Sequence, residues 1–146
     1  MAENFIALVP KFKFESRPTF LLSCDAHGLR WLRDCFLALD GSDNGFSFVI
    51  GDGEPIESDN KCKLTIEISS KIAVERIDQT GPDDFLWCMT TDSARDAAIK
   101  LESLFASNIP GHQYFDLASG LYRTVVVTKN EESIDMIRKM RDGRYR

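Results

Sequence analysis

The run from Lys61 to Ser69 constrains the fold most. Cys62, Leu64, Ile66 and Ile68 alternate there with Lys63, Thr65, Glu67 and Ser69. That is the period of a strand with one buried and one wet face. Such a strand needs neighbours in a sheet and a cover over its apolar side. Two amphipathic helices can provide the cover. Residues 26–39 follow Asp25, a good N-cap, and set Leu29, Leu32, Phe36 and Leu39 on one face. A second helix, capped near Thr91 or Asp92, sets Ala94, Ala97, Ala98, Leu101, Leu104 and Phe105 on one face. Asn108, Pro110 and Gly111 end it.

The remaining pattern supplies more strands. Residues 4–9 and 12–14 read as one strand broken at Pro10, which places it at a sheet edge because proline cannot donate to a ladder. Residues 19–24, 45–50, 71–78 and 84–90 also read as strands, with a turn at Gln79-Thr80-Gly81-Pro82. A Val-rich strand spans 121–128, and Asn130 caps a short last helix with Glu131 and Glu132 in its first turn. This order predicts an α+β fold: one mainly antiparallel sheet, two amphipathic helices on one face, and a short C-terminal helix. At 146 residues without an interdomain linker, 1–146 is expected to be a single domain.

The chemistry that the sequence argues against is broad. A net charge of −5 does not suit a general nucleic-acid binder, whose footprint is a basic face. No apolar run exceeds five residues, too short for a membrane span, and the first residues lack a basic n-region, so a cytoplasmic location is expected. Cys24, Cys35, Cys62 and Cys88 contain no closely spaced pair and lie in apolar patterns, which predicts reduced core thiols and no metal. No nucleophile elbow, P-loop or dinucleotide fingerprint occurs, and Gly51-Asp52-Gly53 would repel a phosphate. His112 and Asp116 are the nearest approach to a base and its orienter, but no nucleophile accompanies them. The expectation is a protein without catalytic residues or cofactor.

Charge distribution says more. Asp34, Asp40, Asp43, Asp52, Glu54, Glu57 and Asp59 follow one another with no Lys or Arg between Arg33 and Lys61. That stretch carries −7 of a total of −5, so the rest of the chain is positive by two. Clustered acids steer a cationic protein into contact. Asp40, Asp43, Asp52, Glu54, Glu57 and Asp59 are therefore the candidate partner-binding residues. Arg138, Lys139, Arg141, Arg144 and Arg146 make a basic end, which a helix C-terminus favours by its dipole alone.

The segment Pro110-Gly111-His112-Gln113-Tyr114-Phe115-Asp116 joins the second helix to Val125-Val126-Val127-Thr128, with Asn130-Glu131 beyond. In this the chain resembles a family of small bacterial immunity proteins from polymorphic-toxin systems of the contact-dependent growth inhibition type. The likeness covers residues 91–132. It departs at Ser133, where similar chains carry an aromatic residue, and in continuing through 133–146. The resemblance implies a cytoplasmic inhibitor of a cognate toxin C-terminal domain, with no direct nucleic-acid or membrane partner. A toxin of the nuclease kind would offer a basic surface to the acidic stretch. Gly111, His112, Gln113, Tyr114 and Asp116 read as scaffold. Gly111 would allow a turn with positive φ, Tyr114 and Phe115 would lie on the sheet edge, and His112, Gln113 and Asp116 would satisfy backbone groups at the helix end. The alternative class is a small acidic secretion or assembly chaperone holding a client protein.

Overall fold

A computed structural model of the chain describes residues 6–14, 17–40, 47–51, 62–69, 75–107, 109–117, 119–120 and 122–129. In chain order these form β1 (Ile6–Phe14), β2 (Arg17–Cys24), α1 (Ala26–Asp40), β3 (Ser47–Ile50), β4 (Lys63–Ile68), β5 (Arg76–Gly81), β6 (Asp84–Met89), α2 (Thr91–Ala106), β7 (Gly111–Asp116), β8 (Ser119–Gly120) and β9 (Thr124–Lys129). The class is α+β with two helices, as expected. The expected single antiparallel sheet is two mixed sheets: a four-stranded one in the order β1-β2-β9-β7 and a five-stranded one in the order β3-β4-β6-β5-β8. Parallel pairs join β2 to β9, β4 to β6 and β5 to β8. The expected C-terminal helix lies outside the described residues, as does 70–74 at the start of the expected strand 71–78.

Local chemistry accounts for the element boundaries. Asp25 caps α1, its carboxylate accepting from Gly28 N–H at 2.7 Å while its carbonyl accepts from Leu29 N–H at 2.9 Å. Thr90, one residue before the expected cap, starts α2 by accepting from Ser93 N–H at 3.1 Å. Pro10 sits within a register shift between Val9 and Phe12 on the edge strand β1, where a missing donor does least harm. The turn after β5 falls at Pro82-Asp83, because β5 runs through the residues expected to turn.

Both sheets and both helices share one apolar core. Leu29, Leu32, Phe36 and Leu39 of α1 are fully buried in it, as are Leu101 of α2 and Leu64 and Ile66 of β4. Phe20 of β2 and Phe85 of β6 meet edge to face at 5.3 Å, and Tyr122 closes on both rings. A smaller cluster of Ala7, Val9, Leu21 and Val126 is buried on the opposite face of the four-stranded sheet. β9 is therefore buried on both sides, the environment in which a run of β-branched residues packs best.

The helices lie against each other through Arg33, which reaches Glu102 at 2.6 Å and Asp34 at 2.9 Å and lies over the Phe105 ring at 5.0 Å. Phe105 is half-buried, packed against the core beneath the Arg33 guanidinium. Leu101, by contrast, has no exposed surface. Leu101→Ala should cost ~2–5 kcal/mol, as other buried large-to-small changes do. Urea denaturation measures it, and a loss under about 1 kcal/mol would contradict this packing.

Candidate functional site: a cleft beside the edge strand

The segment 110–116, of which only Gly111 is expected to turn while Tyr114 and Phe115 are expected at a sheet edge, supplies β7, an edge strand antiparallel to β9 from Gly111↔Lys129 to Asp116↔Thr124. Strand periodicity splits its side chains between two faces. Gln113 and Phe115 face the core side, and Phe115 meets the Trp87 ring edge to face at 5.8 Å. His112, Tyr114 and Asp116 share the outer face and are exposed. His112 and Asp116 thus do share a face, but the imidazole Nε2 meets the Tyr114 hydroxyl, at 3.0 Å.

Gly111 does not take the positive φ expected of it. Its value is close approach, since a Cβ there would meet Leu104 Cδ1 of α2 at 3.1 Å. At the end of α2 the buried Lys129 donates from Nζ to the carbonyl of Ser107, the C-cap residue.

Between α2 and β7 lies a cleft of about 340 Å³. Ser93, Asp96, Ala97, Ile99 and Lys100 line it from α2, Phe115 and Asp116 from β7, and Glu75 from the residue before β5. Lys100 reaches across it, with Nζ 2.7 Å from the Tyr114 carbonyl and 4.8 Å from the centre of the Phe115 ring. Glu75 accepts from the buried indole N–H of Trp87. Burial pushes the Glu75 carboxyl above its ordinary value of 4.5, against the opposing pull of the Trp87 and Ser93 hydrogen bonds and the Lys100 charge. Ile99 stands at the rim with 62% of its surface exposed.

The acidic stretch is only partly in view. Asp43, Asp52, Glu54, Glu57 and Asp59 lie outside the described residues; Asp40 ends α1, and its side chain is likewise not described. Asp34 is paired with Arg33. Two large apolar side chains lie within the stretch: Leu37 on α1, 53% exposed, and Val49 on the edge strand β3, 48% exposed. Phe48 is half-buried, edge to face with Trp31 and Phe36.

All four cysteines are free thiols, with Cys24 buried and the other three half-buried. Desolvation, helped by the Asp34 charge, pushes Cys35 up to about 12, so the thiol stays protonated. Among the described residues no group of three His, Cys, Asp or Glu side chains is set to hold a metal ion, and no helix is long and apolar enough to cross a membrane. No protein-family model, curated protein or solved structure matches the chain.

Glu75 and the cleft generate a pH prediction. A carboxyl whose folded pKa is raised holds its proton better in the folded state, so its contribution to stability falls as pH rises above 4.5 through the folded value. Glu75→Gln keeps an acceptor for the indole and removes the titration. Urea titrations across this range should show the wild type losing ground to the variant as pH increases. Parallel stability profiles would exclude a raised Glu75 pKa.

Proposed function

We propose that the protein is an inhibitory binding module: a cytoplasmic immunity protein that neutralises a cognate bacterial toxin domain by covering its active site or substrate surface. A nuclease domain, with a basic cleft, is the toxin class that best suits its charge. No catalytic step and no cofactor belong to this reading. The observation that carries it is the run of acids without a base from Asp34 to Asp59, interspersed with the exposed Leu37 and Val49. Charge that steers encounter, next to apolar surface that can be buried on contact, is the composition of a protein-binding face. The resemblance in residues 91–132 supports the same reading, with β7 and β9 as the scaffold of the motif. A chaperone of extended clients is the competing class. It commonly works as a dimer, so a stable homodimer in light scattering would favour it.

The decisive experiment is expression of the product of the neighbouring upstream gene, or of its C-terminal domain, with and without this chain. Growth arrest relieved only by co-expression is the expected result, and arrest without relief would refute the reading. The docking face has its own test. Reversing Asp52, Glu54, Glu57 and Asp59 to Lys should mainly slow association, because exposed charges act over about 8–10 Å at physiological salt. Stopped-flow association of the parent should weaken as salt rises, and the quadruple variant should respond much less. Equal rates and equal salt slopes would show that these acids touch nothing.

A further inference from the structure

The four-stranded sheet is buried on two faces, and the described elements account for the cover of one. Its inner face meets the shared core. On its outer face the paired rows Val9–Leu21–Val126 and Ala7–Ser23–Thr128 run across β1, β2 and β9. None of these side chains has more than 6% of its surface exposed. A sheet face open to water does not look like that. On the outer face of the five-stranded sheet, Lys63 of β4 is exposed, and Thr65 and Glu67 of β4 and Leu86 and Cys88 of β6 are only half-buried. Among the described residues, the cluster of Ala7, Val9, Leu21 and Val126 contains side chains of the four-stranded sheet alone, and neither helix joins it. Burial stops at β7, where Tyr114 and His112 continue the two rows and are exposed.

We infer that this outer face is the docking surface for the segment that follows β9, with Ile134, Met136, Ile137 and Met140 of a helix over residues 133–141 packed on Val9, Leu21 and Val126. The burial is that of one copy of the chain, so a second copy is not what covers the face. Width and length both fit. Three neighbouring strands span about 10 Å, the diameter of one helix, which accounts for a cover that ends before β7. Nine helical residues extend about 13 Å, the same as a strand from Thr124 to Thr128. The four apolar residues fall at steps of three and four and so share one side of such a helix, while Asp135, Arg138 and Lys139 fall on the other. Residues 130–132 suffice for the reversal, since connections between a strand and a helix commonly take about two to six residues. Other stretches outside the described residues lack the length or the composition. Residues 1–5, 41–46 and 70–74 have five or six residues each, and 52–61 has one large aliphatic side chain, Ile56, among Asp52, Glu54, Glu57 and Asp59. The docked helix closes this face to partners and presents Arg138 and Lys139 in its place.

The test is NMR of the full chain labelled at its Ile, Leu, Val and Met methyl groups. Nuclear Overhauser contacts from Ile134 and Ile137 to Val9, Leu21 and Val126 are the expected result. Assigned methyls on both sides without such contacts would overturn the inference, as would contacts seen only between differently labelled copies in a mixed sample. Two variants add an independent readout. Ile137→Glu sets a charge against the sheet and should lower the melting temperature by about 5 °C or more. Arg138→Glu changes the charge by twice as much on the outer side of the helix, and should shift it by about 2 °C or less. If Ile137→Glu does not fold, Ile137→Ala takes its place, with a loss of about 5 °C expected for a buried large-to-small change. Equal shifts at 137 and 138 would show that Ile137 does not face the sheet and would overturn the assignment.

Discussion

An indole in the centre of a core must be surrounded by apolar contacts and still find an acceptor for its N–H. Trp87 meets both demands, and in doing so it ties together parts of the chain that share no sequence proximity. Its ring packs edge to face on Phe36 of α1 and on Phe115 of β7. It sits on β6, so one side chain joins the five-stranded sheet, the first helix and the edge of the four-stranded sheet. The N–H goes to Glu75, which brings a carboxyl to the floor of the cleft. The cleft is thus a by-product of core construction: a buried donor requires a partly buried acceptor, and that acceptor lies where α2 and β7 part.

Elements whose signal is local were legible in the sequence. The faces of α1 and α2, the cap at Asp25 and the alternation of β4 depend on residues two to four apart, and they form as read. Strand pairing is a different matter. Alternation tells which face is buried but not which strand lies alongside, and β2 pairs with β9 across about a hundred residues of chain. One clue was present: three consecutive valines, apolar without alternation, suit a strand buried on both faces rather than the half-wet strand of a one-layer sheet. Their placement between β2 and β7 follows from that.

β7 was hidden by its own composition. Proline, glycine, histidine, glutamine and aspartate within seven residues show no strand alternation, so the sequence marks only a turn at Gly111 and a sheet-edge place for Tyr114 and Phe115. Pairing with β9 overrides the local preference, because an edge strand needs only one good face. The cleft residues had no local signal at all. Glu75, Asp96 and Asp116 lie about twenty residues apart and meet only through the sheet and helix that separate them in sequence. Lys129 belongs with them: at the end of a valine run nothing marks it as the cation that closes α2, yet its burial is explained by the Ser107 carbonyl it serves.

Exposed acids and a partly buried one carry different electrostatic costs and reach. Charges in the 34–59 stretch that are bathed in salt water act at a distance and are screened within a Debye length, so they set how fast a cationic partner arrives. A carboxyl at the floor of a cleft acts only at contact, where the dielectric is lower and the interaction stronger, but it carries a desolvation cost even before a partner comes. The raised pKa of Glu75 is the direct sign of that cost. Lys100 offsets part of it in the free protein by lying within reach of the carboxyl.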